Sequence, residues 1–316
     1  MSQQKPIAYG GQAVVEGVMF GGRKVIVTAI RRNDDTIEYF EEERKANPVL
    51  NKFKKIPFVR GIVGLIEASA NGSKHLNFST ERYDVTPGEE QLEEDKDSSW
   101  NLTMILGVAV VGVLSFIFGK LIFTIAPAVL ADVLFTRWVT NNILQNLIEG
   151  VIKILLLLAY LFAISQTPLI KRLFQYHGAE HKVINTYEAG VPLTVDNVQG
   201  FSRLHYRCGS SFIIFTVIVG VVIYSFFQYD TLWERIYQRI LLLPVVIGVS
   251  YEVLQFSNKL RDVPLLRILG YPGLWLQKLT TKEPEDKQVE VAIASFEKMI
   301  EMDRGAEFNK QVATTG

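Results

Sequence analysis

The long uncharged stretches between residues 100 and 258 constrain this chain more than any other feature, because each approaches the roughly 20 apolar residues that a helix needs to cross a bilayer. Ser98 to Gly119 carries no charge, and beyond Lys120 a neutral run reaches Ala131, with Pro127 as a kink point. Leu147 to Pro168 is a second candidate span; Glu149 and Lys153 stand four apart near its start and are expected to neutralise each other. Cys208 to Tyr229 supplies 22 residues without charge, and Arg239 to Lys259 is interrupted only by Glu252, which can snorkel near its end. These runs predict a mainly α-helical polytopic membrane protein with about four transmembrane helices and a small cytoplasmic N-terminal α+β region.

Orientation follows from basic residues in short loops, which favour the cytoplasm. Lys171, Arg172, Lys182, Arg203 and Arg207 lie between spans two and three, and Lys259, Arg261, Arg267 and Lys278 follow span four. The connection between spans one and two has only Arg137, and Arg235 and Arg239 fall in the third connection. Both termini and the middle loop are therefore expected on the cytoplasmic side of the cell membrane. The expected division is a cytoplasmic region over 1–83, an acidic linker over 84–99, a membrane domain over 100–258 with a cytoplasmic histidine-rich loop over 166–207, and a cytoplasmic helical tail over 259–316.

Composition narrows the partners. Thirty-three basic residues balance 33 acidic ones, so no overall basic field recruits nucleic acid; the lipid bilayer is the expected partner, and no protein partner is specified. The lone Cys208 excludes an intramolecular disulfide and fits a reducing compartment. Met1 to Gly22 lacks the apolar core of a signal peptide.

Within the N-terminal region, Val25–Ile30 and Thr36–Phe40 are rich in β-branched and aromatic residues around a polar turn, which predicts a hairpin. Ile56–Ala70 is apolar but holds Arg60 and Glu67, and so reads as a helix at the membrane surface or on the core, with those two residues paired. Lys287–Met302 has helical spacing at Val289, Ile293, Phe296 and Ile300.

The chemistry concentrates in the middle loop. Three of the four histidines, His177, His181 and His205, fall within 29 residues. Thr167-Pro168 predicts a helix start with the hydroxyl capping, and Gly190 a stop. On that helix His177 and His181 project from one face, four apart, with Glu180 between them and Glu188 seven beyond His181 on the same stripe. The order H-x-x-E-H is that of the inverted zinc-peptidase motif, in which the glutamate is general base toward a metal-bound water. His205 and Cys208 add a second pair with ligand chemistry suited to zinc. A structural zinc site using both pairs, or a headgroup-level histidine pair, explains the same residues without a reaction.

Tyr9 to Val18 is the second segment of note: glycines flank Gln12 and Glu16, and a carboxylate among small residues is partly buried. Glu16 reads either as a ligand or acid–base group or as the partner of a cation such as Arg60.

Tyr9 to Met19, Pro57-Phe58-Val59-Arg60-Gly61, Tyr176 to Lys182, His205-Tyr206-Arg207-Cys208-Gly209 and Glu290 to Ala294 together resemble the YqhQ-like family of bacterial multi-pass membrane proteins. The resemblance implies a metal-dependent enzyme with its metal at His177, His181, His205 and Cys208. Tyr206 stands where that pattern expects proline and Ser210 where threonine is common, and neither change removes a ligand. The combined expectation is a divalent-metal enzyme, most simply a zinc hydrolase at the cytoplasmic face. In it Glu180 activates water, Glu16 and Glu188 are additional acid–base or ligand groups, and the substrate is membrane-associated or lipid-linked. The competing expectation is a membrane scaffold with a structural metal site.

Overall fold

Glycine-punctuated β-branched runs open the fold in this computed structural model, which describes residues 9–44, 48–85, 119, 121–260, 263 and 266–315. Strands β1 (Gly10–Val14), β2 (Gly17–Gly21), β3 (Val25–Arg31) and β4 (Ile37–Glu43) pair antiparallel in chain order. The first turn is tight, with Val14 opposite Gly17 and Glu16 at φ 53°. Ten helices follow over the described residues: α1 (Pro48–Phe53), α2 (Val59–Arg82), α3 (Ala126–Phe135), α4 (Asn142–Ile164), α5 (Pro168–Glu188), α6 (Val195–Gln199), α7 (Ser211–Tyr224), α8 (Leu232–Leu241), α9 (Leu243–Lys259) and α10 (Tyr271–Thr280). An eleventh, α11 (Asp286–Thr315), closes the chain.

Strand β3 explains how the first layer is built. Six of its seven residues are buried, which for an alternating strand requires cover on both faces. Val25, Val27 and Ala29 point into a core shared with Val289, Ala292, Phe296 and Met299 of α11 and with Tyr176, Ala179 and Val183 of α5. On the opposite face Thr28 meets His75 of α2, Thr28 Oγ1 lying 2.7 Å from His75 Nδ1. Phe296 anchors the first core through edge-on contacts with Tyr9, Phe20 and Tyr187. A second, smaller core joins Leu157 and Leu161 of α4, Ile214 of α7 and Leu276 of α10. Helix α5 packs in the first core and carries the histidine pair.

The expectation of about four membrane spans is corrected by the helix geometry. Among the described residues only α4 is long and apolar enough to cross a bilayer, or up to two spans if the bent pair α8 and α9 counts as one. The reason is local breakage of the apolar runs. Cys208–Tyr229 yields the 14 residues of α7, and Arg239–Lys259 straddles a 53° bend between α8 and α9. The apolar run over residues 98–118, and the linker from residue 86 to residue 99, lie outside the described residues.

The expected ion pairs are also rearranged. Glu149 is held by Arg235 and Arg239 of α8, both buried, which are therefore not loop charges at all. Arg60 pairs with Glu252, Glu67 with Lys54, and Glu16 with Arg172. Local spacing rules found none of these, because every one except Lys54–Glu67 joins elements far apart in the chain. Thr167 starts α5 as read, but its hydroxyl donates to the Ile164 carbonyl and makes no capping bond.

Candidate metal centre

Helix α5 sets two imidazoles one turn apart, so their rings meet edge to face with centroids 4.4 Å apart. Each ring is then fixed by a main-chain carbonyl. His177 Nδ1 lies 2.8 Å from the Thr280 oxygen at the end of α10, and His181 Nδ1 lies 2.7 Å from the Arg203 oxygen in the loop before α7. A carbonyl only accepts, so both Nδ1 atoms donate and both Nε2 atoms keep their lone pairs. The close crossing that brings Thr280 in depends on Gly178, where a Cβ would stand 2.1 Å from the Lys282 carbonyl oxygen.

Cys208 completes the group. Its Sγ is 3.4 Å from His177 Nε2, and one donor nitrogen of each histidine and this sulfur all fall within 4.8 Å of one another. Donors around tetrahedral zinc, at bond lengths of about 2.0–2.3 Å, sit about 3.3–3.8 Å apart. The His177 Nε2 to Cys208 Sγ separation of 3.4 Å falls in that range. His181 Nε2 is buried and, apart from the Cys208 thiol, has no hydrogen-bonding neighbour, as a ligand nitrogen would. Burial also pushes the His181 pKa down, which keeps the ring neutral and able to coordinate.

Glu180 projects beside this group. It is buried and accepts the backbone N–H of Gly11, the residue of β1 that crosses it. A Cβ on Gly11 would come within 3.0 Å of Glu180 Cγ and 2.5 Å of the Met19 carbonyl oxygen, so only glycine lets the strand pass this close. Burial raises the Glu180 pKa, opposed by His177 and His205. A buried carboxyl in these surroundings is of the kind that general acid–base chemistry uses.

The remaining expected residues take other places. His205 stands outside the donor group, its ring centroid 5.7 Å from that of His181. Its backbone is gripped on both sides by Gln277 of α10, which accepts from the His205 N–H and donates to its carbonyl, each at 2.8 Å. Glu188 pairs with Arg207 and lies 3.7 Å from His205 Nε2, a supporting position outside the donor group. Glu16 is likewise apart: it binds Arg172 and receives the Tyr176 hydroxyl at 3.1 Å, tying the β1–β2 turn to α5.

A cavity of about 730 Å³ opens on the centre. His177, Glu180, His205 and Cys208 face it, with Gly10 to Ala13 of β1 along one wall. Sequence reading missed Thr280, Arg203 and Gln277. The first two act through carbonyl groups, which every residue has, and the buried amide of Gln277 had no neighbouring motif to mark it.

Residues 56–302 match the family described as "Protein of unknown function (DUF1385)". The chain is also 58% identical, over 314 residues and 98% of each chain, to the "Uncharacterized protein YqhQ" of Bacillus subtilis (strain 168). No solved structure matches it. All three donors and Glu180 lie inside the matched segment, whereas Gly11 and Glu16 precede it.

Proposed function

This chain belongs to the DUF1385 family, and from that footing we propose that it is a zinc-dependent hydrolase working at the cytoplasmic face of the bacterial cell membrane. The observation that carries the reading is the matched tautomer of His177 and His181: two Nδ1–H groups bound to carbonyls turn two Nε2 lone pairs toward one thiol. The thiol proton can satisfy only one of them, so a divalent cation is the group that satisfies all three. Imidazole and thiolate ligands together favour zinc over magnesium or calcium.

Three protein donors with a cavity beside them resemble catalytic zinc sites, which keep a position open, more than structural ones, which close with four. Zinc there would supply a Lewis acid and lower the pKa of water to about 7. Glu180 takes the proton of the attacking water and delivers it to the leaving group. Gly11 orients that carboxyl, and Gln277 holds the loop that presents Cys208. A closed structural site remains the competing reading.

Membrane attachment is supported by the outer surface of the helical part. Val151, Leu155 and Phe162 on α4 are exposed, as are Val222 of α7 and Tyr237 of α8. Trp233 and Phe226 are about four-fifths exposed, at 80% and 81%. An apolar surface of this extent is costly in water, and Trp and Tyr suit the headgroup region. A membrane-associated substrate follows from that placement.

The test is metal analysis and turnover on the detergent-purified chain. Wild type should hold about one equivalent of zinc. Glu180→Gln should keep the zinc and lose hydrolysis by about 100-fold or more. Equal turnover in wild type and Glu180→Gln would leave a structural metal site as the better account.

A further inference from the structure

The two edges of the sheet are treated differently. Strand β4 carries Glu38, Glu41, Glu42 and Glu43, charges of the kind that keep an exposed edge from pairing with another chain. Strand β1, Gly-Gly-Gln-Ala-Val, carries none and runs along the cavity that holds the candidate metal centre.

The direction of its backbone groups follows from alternation. The Gly11 N–H reaches Glu180 and the Val15 N–H reaches Ser79 Oγ at 3.2 Å, so the intervening odd residue, Ala13, also points its N–H and C=O away from β2. Ala68 and Asn71 of α2 and Phe174, His177 and Glu180 of α5 line the same cavity as this edge. The β1 wall spans about 10 Å, enough to pair with about three or four residues of an extended chain.

We infer that the substrate of this centre is an extended polypeptide, which adds to the outer edge of β1 as a further antiparallel strand and is cut beside Glu180. The inference rests on the hydrolase reading above. Main-chain hydrogen bonds to Ala13 and the Gly11 carbonyl hold the peptide, and the small residues of β1 let it approach. Water then adds across the amide: its oxygen bonds the carbonyl carbon, the C–N bond breaks, and Glu180 carries the proton from water to the departing amine.

The test uses the full chain, zinc-loaded in detergent, with unfolded casein as an unstructured probe and mass spectrometry to find new termini. Cleavage is expected, abolished by Glu180→Gln with zinc retained. Ala13→Pro removes an outward N–H and no bond to β2, so it should reduce cleavage by about ten-fold or more while zinc content and circular dichroism stay unchanged. A peptide spanning the cleaved bond, synthesised with single N-methyl groups at successive residues, should lose reactivity at every second position. That readout does not depend on how any variant folds. Indifference to N-methylation, or Glu180-dependent hydrolysis of phosphatidylglycerol vesicles without casein cleavage, overturns the polypeptide assignment and leaves the hydrolase reading intact. No Glu180-dependent hydrolysis of either substrate removes both.

Discussion

Two buried polar clusters among the described residues, around Glu149 and around His181, are satisfied to different degrees. Around Glu149, both carboxylate oxygens accept from guanidinium groups: Oε1 from Arg239 Nε at 3.0 Å, Oε2 from Arg235 Nε and Arg239 Nη2, each at 2.8 Å. Tyr224 and Tyr229 cover the cations at 4.2 and 4.9 Å. Around His181 the lone pairs of two imidazoles and a thiol converge with one proton at most among them. The first cluster has its opposite charges already in place. The second gathers three ligand-type donors with no opposite charge beside them, the arrangement that the proposed cation would complete.

The largest test of that contrast removes two donors. His177→Ala combined with His181→Ala should take bound zinc from about one equivalent to nearly none by mass spectrometry, since one thiolate cannot hold the ion alone. Retained zinc would place the metal elsewhere and dissolve the comparison. Next in size is Glu149→Ala, which leaves two buried guanidinium groups facing each other and should cost about 3–5 kcal/mol in denaturant unfolding. Zinc binding by whatever protein remains folded should be untouched, because the cluster shares no residue with the donor group. A coupled loss of zinc would mean the two clusters are one unit.

Gln277→Leu is a finer probe. It keeps the volume but strips both hydrogen bonds from the His205 backbone, and should cost about 1–3 kcal/mol with zinc affinity about ten-fold weaker. If affinity is unchanged, the loop holding Cys208 is positioned by something other than α10.

The sequence showed the donors more clearly than what holds them. His177, Glu180 and His181 were visible as a helical face, and Cys208 as a ligand type nearby. Their partners were not, because Thr280 and Arg203 contribute carbonyl groups that leave no signature in side-chain spacing. The hairpin of β3 and β4 follows the β-branched runs read there, and the covering helix α11 follows the spacing of Val289, Ile293 and Phe296. The count of spans failed for a different reason. Hydropathy sums over a window and is blind to a bend, so the 53° break between α8 and α9 was invisible. Glu149 failed likewise: Lys153, four residues away, was the partner a one-dimensional rule offers, while Arg235 and Arg239 come from 86 and 90 residues on.

His75 sharpens the comparison from the other side, because its buried Nε2 makes no hydrogen bond and a single carboxylate, that of Glu42, is the ligand type beside it. Its Nδ1 meets Thr28 Oγ1, its ring packs on Phe40, and Glu42 Oε2 lies 3.7 Å from Nε2. Burial pushes its pKa down, with Glu42 opposing, so the folded protein disfavours the charged ring more than the unfolded chain does. The sign follows: between the unfolded value of about 6.5 and the lower folded one, the unfolded state binds more protons. The stability contributed by neutral His75 is therefore present above about pH 6.5 and is lost as pH falls through the folded value. Thermal unfolding of the zinc-loaded chain from pH 7.5 to 5.5 should show a decline in midpoint, and His75→Gln should flatten it by a few degrees at the acid end. Zinc content should not change in that variant. An identical slope with and without His75 would mean that an orphaned buried imidazole alone does not titrate here, and that the donor histidines differ from it by more than the company of Cys208.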